Sequence, residues 1–264
     1  MSILARTRSG FKTFTFFVSS LLSRITARSS QVVVLMYHSI DRSGWKLSVT
    51  PEMFERQMKY LAHKGWAAPL TDVVAYAKGE KKLPSHAVAV TFDDGYHDLL
   101  TTVLPIITKY QIPITIFVPS DVSARSGERA KRDICTWEEL RILERTGLVS
   151  IESHSRTHAH LSRLSPHELT EEIAGSADDI ERELGIRPRY HAYPYGERNP
   201  AIEAEAAKTY AAAFGITEGV IQKGDDPFRL KRVQIDGTMS FLLFRLRLTA
   251  AVDWNRRIVG LERA

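Results

Sequence analysis

The sequence predicts an α/β fold, a distorted or incomplete (β/α)7–8 barrel in a single domain. Two observations predict it. Short β-branched apolar runs alternate with helix-like segments from residue 31 onward, the pattern of a parallel sheet with crossover helices. Four polar clusters, Tyr37-His38-Ser39, Thr91-Phe92-Asp93-Asp94-Gly95, His154-Ser155-Arg156-Thr157-His158 and Tyr193-Pro194-Tyr195-Gly196, each fall just after a predicted strand. In a barrel the strands carry such groups to one mouth.

Gln31–Tyr37 is a β-branched strand, and Thr50 with Pro51 opens the next helix. Ala87–Phe92 and Ile114–Val118 are apolar runs of the kind buried in a parallel sheet. His97–Tyr110 has helical periodicity up to Pro105, where a kink or early stop is expected. Thr136-Trp137-Glu138-Glu139 is a capping box for a helix ending before Gly147, and Leu148–Glu152 follows as a strand. Ser165-Pro166-His167-Glu168 starts a long helix that reaches Leu184 and stops at Gly185. Arg189–Tyr193 reads as a strand, Asn199-Pro200 caps a further helix, and Arg229–Ile235 returns to strand.

The chain has 264 residues, 44% of them hydrophobic and 25% charged, which suits one globular domain with a substantial core. The net charge of +5 has a local origin. Residues 1–30 hold Arg6, Arg8, Lys12, Arg24 and Arg28 without an acidic residue, and the rest of the chain has 31 basic against 31 acidic residues. A balanced body gives nucleic-acid binding no electrostatic support. Residues 1–30 are read as a basic apolar leader or membrane-associating tail, and 31–255 as the globular domain. The apolar run Phe14–Leu22 is nine residues, short of the ~20 that span a bilayer. Interleaved basic and aromatic residues suit peripheral attachment to a membrane surface. The expected location is the cell envelope, periplasmic or membrane-associated, with the cytoplasm as the alternative. The single cysteine, Cys135, rules out an internal disulfide and is read as a packing residue.

Adjacent strand residues point to opposite faces, so Asp93 and Asp94 serve one site only if the chain turns there, and Gly95 permits a turn. Alone, Asp-Asp-Gly reads as a solvated turn. His154 and His158 are four apart, a spacing that puts both rings on one face of a helical turn. Two imidazoles and a carboxylate suit zinc or a neighbouring divalent ion, cobalt or nickel, and leave a coordination position open.

With these motifs in view, the sequence resembles the polysaccharide deacetylases of carbohydrate esterase family 4, the NodB-homology domain, over roughly residues 31–236. The resemblance rests on Thr91-Phe92-Asp93-Asp94-Gly95-Tyr96, on Ser153-His154 through His158-Ala159-His160-Leu161, and on Ala192-Tyr193-Pro194-Tyr195-Gly196. It implies that Asp94, His154 and His158 bind the metal, that Asp93 is the general base, and that the Tyr195 backbone N–H helps stabilise the oxyanion. Two departures from the common pattern stand out. The usual C-terminal acid histidine is missing, since the last histidine is His191. His38, after the first strand, is expected to take that role, as the chain resembles a permuted branch that includes poly-N-acetylglucosamine deacetylases and draws its acid histidine from the N-terminal side. Ala192 stands where many relatives place an arginine against the catalytic aspartate, and Arg232 is the expected replacement. Tyr96, Tyr193 and His160 are expected to line the substrate site, with Tyr195 and Trp45 as further sugar-stacking rings.

The expected activity is removal of N-acetyl groups from amino sugars of a bacterial cell-surface or exopolysaccharide. Alternatives are deformylation or deacetylation of a lipid-linked sugar, a non-catalytic sugar-binding relative, or, from a different class, an iron oxygenase using two histidines and a carboxylate.

Overall fold

The computed structural model describes residues 31–121, 131–249 and 252–253. The predicted leader at 1–30 and the predicted domain end at 255 lie outside them.

Seven strands form one parallel sheet: β1 (Gln31–Tyr37), β4 (His86–Asp93), β5 (Ile114–Val118), β6 (Val149–Ser153), β7 (Tyr190–Ala192), β8 (Ala212–Phe214) and β9 (Val233–Gln234). Their order is β8-β7-β6-β5-β4-β1-β9, with no pairing between β8 and β9, so the barrel is incomplete. The two-residue strands β2 (Ser39–Ile40) and β3 (Ser48–Val49) pair separately just after β1. Because every strand of the main sheet is parallel, all their C-terminal ends open on the same side.

Period-two alternation sorts the side chains into two layers. Val33, Leu35 and Tyr37 of β1, with Val88, Val90 and Phe92 of β4, pack against the helices α1 (Pro51–Lys64), α3 (Leu104–Tyr110) and α4 (Trp137–Glu144). Val32, Val34, Ala87 and Ala89 point the other way and join Phe117, Tyr190 and Phe214, together with α2 (Leu70–Ala77). Carried to the end of β4, the same alternation puts Thr91 and Asp93 on this second face. A third cluster joins α5 (Pro166–Leu184) to α6 (Pro200–Thr209) through Ile173, Ala177, Ile202 and Ala206. A short helix, α7 (Phe241–Arg247), packs Phe244 into the first layer.

Local chemistry explains the helix ends. Thr136 with Glu139 and Ser165 with Glu168 each form a reciprocal capping box. Asn199 accepts from the N–H groups of Ala201 and Ile202. The helical run over His97–Tyr110 is interrupted as Pro105 demands: a π-helical turn spans Leu99–Val103, and α3 begins afresh at Leu104. Predicted strands at 148–152, 189–193 and 229–235 are each present but shifted or shorter. No described helix is long and apolar enough to cross a membrane.

Candidate metal centre and active site

Asp93 is the last residue of β4, and the chain turns at once: Asp94 has φ 75° and Gly95 φ 69°. The turn begins at Asp94 itself, one residue earlier than the glycine suggests. The Asp94 N–H donates to Phe117 O at 3.0 Å, which ties the turn to β5. Asp93 and Asp94 are therefore adjacent carboxylates that both reach the sheet's C-terminal end, 2% and 5% exposed.

The two histidines arrive by a different route from the helical turn read in the sequence. Residues 154–160 form no helix. Ser155 and His158 have φ of 64° and 61°, and these left-handed residues fold the loop back on itself. The His158 N–H donates to Ser155 Oγ at 3.0 Å, and the Ser155 N–H donates to Ser153 Oγ at 3.3 Å. Buried Glu172 of α5 accepts the N–H groups of Arg156 and Thr157 at 3.0 and 2.9 Å and the Thr157 hydroxyl at 2.6 Å. Four of the five described non-glycine residues with positive φ are Asp94, Ser155, His158 and Tyr195. Strain held at a site by surrounding bonds is a mark of functional geometry.

The donor atoms of Asp94, His154 and His158 lie within 4.8 Å of one another. Asp94 Oδ1 stands 3.8 Å from Nε2 of His154 and 3.8 Å from Nε2 of His158. Ligands at ~2.0–2.1 Å around a tetrahedral ion are separated by about 3.3 Å, so small adjustments close this set on a divalent metal. Tautomer chemistry agrees. His154 Nδ1 meets the Ala192 carbonyl at 2.7 Å, and a carbonyl only accepts, so Nδ1 carries the proton and Nε2 presents a lone pair. Asp94 Oδ2 accepts the Tyr96 hydroxyl at 2.8 Å, which orients the carboxylate with Oδ1 toward the histidines. The set fits a divalent cation of the zinc type.

Asp93 stands beside this set, its Oδ2 3.9 Å from His154 Nε2. Arg232 grips it with a bidentate fork, Nη1 to Oδ1 at 2.6 Å and Nη2 to Oδ2 at 2.9 Å. The guanidinium is fully buried, lies over the Phe117 ring at 5.4 Å, and donates from Nε to Gly215 O at 3.0 Å. A buried charge pair with this geometry fixes the carboxylate's direction.

A profile described as polysaccharide deacetylase matches residues 80–214, just over half of the chain. The chain belongs to the polysaccharide deacetylase family. It is 30% identical over 217 residues to the "Putative polysaccharide deacetylase YxkH" of Bacillus subtilis (strain 168), covering 81% of this chain and 75% of that protein. It is 27% identical over 245 residues to a poly-beta-1,6-N-acetyl-D-glucosamine N-deacetylase of Staphylococcus aureus (strain MRSA252), covering 80% of this chain and 81% of that protein. Among solved structures it is similar to IcaB from Ammonifex degensii, at 26% identity and a TM-score of 0.70, covering 77% of this chain and 91% of that one.

In this polysaccharide deacetylase, His38 follows β1, whose register pairs Tyr37 with Phe92 and so carries His38 alongside Asp93. The chain is fixed immediately beyond, where Asp98 accepts the Ser39 hydroxyl at 2.5 Å and the Ile40 N–H at 2.6 Å. The His38 ring meets Trp45 edge-on at 6.3 Å, and Trp45 meets Tyr96 at 5.9 Å.

Two predicted substrate residues are corrected. Tyr96 is 2% exposed and its hydroxyl is committed to Asp94, so it orients a ligand and presents no stacking face. Tyr193 is fully buried, with its hydroxyl on Phe228 O, because it packs as core in the cluster that joins α5 and α6. The exposed aromatic surface is made by Tyr195 and His160, whose rings stack at 4.1 Å and 9°. Tyr195 is 48% exposed and stands edge-on to His158 at 4.6 Å. Partial burial pushes the Glu197 carboxyl up, but hydrogen bonds from His160 and Ser162 outweigh it and hold the group below its ordinary value.

The sequence reading missed Glu172 and Glu197 entirely. Glu172 sits 15 and 16 residues beyond the groups it holds, on a helix whose orientation only the fold supplies. Glu197, one residue past the Pro194–Gly196 turn, carried no signal apart from the neighbouring motif.

Proposed function

We propose that this chain is a divalent-metal-dependent N-deacetylase of an N-acetylglucosamine polymer at the bacterial cell surface, with Zn2+ held by Asp94, His154 and His158. One observation carries the reading: a three-donor set within 4.8 Å, adjoined by a second carboxylate, Asp93, that Arg232 holds in a buried fork. Two histidines and one carboxylate leave the open position that a catalytic ion needs. Bound there, the ion would lower the pKa of a coordinated water toward ~7 and polarise the amide carbonyl.

The remaining steps belong to the chain's own residues. Asp93, aimed by Arg232, takes the proton of the attacking water as general base. The Tyr195 backbone N–H, presented by a left-handed turn at φ 57°, donates to the developing oxyanion. His38 protonates the amine as the C–N bond breaks, so acetate and a free amino sugar leave together. The Tyr195–His160 ledge receives a pyranose face. Ala192 stands where many relatives place the bracing arginine, and the Arg232 fork on Asp93 supports a catalytic reading over a sugar-binding relative.

A β-1,6-linked substrate is supported by the Staphylococcus aureus relative, matched over 80% of this chain. Residues 1–30 form a separate leader that keeps the domain, 31–255, at a membrane surface of the cell envelope; their basic, acid-free composition supports this. Acetate release from β-1,6- and β-1,4-linked N-acetylglucosamine oligomers tests the activity. Release from the β-1,6 series is expected, and no acetate from any N-acetylated oligomer would overturn the reading.

A further inference from the structure

A second group of metal-type donors lies outside the site described above. Cys135 Sγ, a ring nitrogen of His97 and a carboxylate oxygen of Glu139 all fall within 4.8 Å of one another. His97 Nδ1 is 3.3 Å from Glu139 Oε1. The backbone holds them in place. The His97 N–H donates to Asp133 O at 3.0 Å, and the Cys135 N–H donates to Gly95 O at 2.8 Å. Tyr96 and Ile134 form an isolated antiparallel bridge between the same two segments. The thiol is the buried floor of the group, 6% exposed, while the His97 and Glu139 side chains are 39% and 24% exposed and leave it open to solvent.

The electrostatics favour a cation. Burial first, and then the negative charges of Glu139 and Asp98, push the Cys135 thiol up to about 12. Burial resists charge of either sign, but the part contributed by Glu139 and Asp98 is a negative potential that attracts a divalent ion, and the ion's own charge then reverses the thiol's preference. Glu139 has an oxygen to give: Oε2 accepts the Thr136 N–H at 2.8 Å within the capping box, whereas Oε1 faces His97. The cap therefore persists when Oε1 changes partner.

We propose that His97, Cys135 and Glu139 form a second metal site, for a borderline-soft divalent ion such as Zn2+ or Co2+. Sulfur, nitrogen and oxygen donors select this class over Mg2+ or Ca2+, which take oxygen ligands. Binding exchanges the thiol proton for the metal: the S–H bond breaks, a sulfur–metal bond forms, and the proton passes to bulk water. The site shares no residue with Asp94, His154 and His158. The two sites share one segment: the Cys135 N–H donates to Gly95 O at 2.8 Å, next to Asp94, and Tyr96, whose hydroxyl holds Asp94, bridges to Ile134.

Cobalt titration of the full-length apoprotein tests this, because the chain has one cysteine and any thiolate-to-cobalt charge-transfer band reports Cys135 alone. Two binding events are expected. The second brings a near-ultraviolet charge-transfer band that Zn2+ displaces and Mg2+ does not. Cys135→Ser and His97→Ala should each lose that band and keep the visible absorption of the first event; His97 lies at the surface, so its variant tests the site without disturbing the core. Saturation at one equivalent with no such band would overturn the proposal. So would a band undiminished in both His97→Ala and Glu139→Gln.

Discussion

Asp93 and Arg232 form the contact on which the reading of the site turns. Both side chains are buried, so removing the guanidinium leaves a carboxylate in a low-dielectric interior without its counter-charge. Arg232→Met should therefore cost ~3–5 kcal/mol of stability, measured by denaturant unfolding, and lower turnover as well. Arg232→Lys keeps the charge but lacks the planar fork, so it should recover part of the stability and little of the turnover. Equal turnover in wild type and both variants would contradict the role given to this pair. At this scale the sequence was legible where chemistry is concentrated in short motifs. Asp93, Asp94, His154 and His158 lie in two short motifs that each follow a predicted strand, and the family resemblance supplied their separate roles. Arg232 is 139 residues from its partner, a separation that no local motif bridges. Tyr96 and Tyr193 were placed at the substrate surface because residue type does not tell whether a ring is core or surface, whereas Tyr195 is exposed as expected.

Among the elements, the capping boxes at Thr136 and Ser165, the proline starts and the stop at Gly185 were readable because each is a local hydrogen-bonding rule. The His-x-x-x-His segment was not, because its two left-handed residues depend on bonds from α5 and from Ser153, which no local rule supplies. Strand β6 carries a consequence for pH. Burial pushes the Glu152 carboxyl up to about 8, against the Arg189 and Tyr190 N–H groups that donate to its Oε2. The unfolded chain releases this proton near the ordinary value of 4.5, and the folded chain holds it to about 8. Between those values the folded state binds more protons, so this group's contribution to stability falls as pH rises. Glu152→Gln should flatten that part of the stability profile, and superimposable wild-type and variant profiles would refute the assignment.

Over the whole molecule, the parallel sheet brings β1, β4, β6 and β7 to one end, and residues 38, 93, 154 and 195 follow those strands or close them. The alternation of strand and helix made this architecture legible. An incomplete barrel was among the expectations, and the fold shows where it opens, between β8 and β9, which strand count alone does not specify. Residues 1–30 are proposed to act independently of the site. Deleting them should leave acetate release from soluble oligomers unchanged and abolish co-sedimentation with anionic vesicles; retained co-sedimentation would contradict the anchoring role. The most direct test of the central claim is acetate release from β-1,6-linked N-acetylglucosamine oligomers before chelation, after chelation and after Zn2+ is restored, with Asp93→Asn alongside. The account predicts release that disappears with the metal and returns with it, and an Asp93→Asn variant that binds the metal yet turns over at least ~100-fold more slowly. Release that is indifferent to chelation, or an Asp93→Asn variant as active as the wild type, would contradict it.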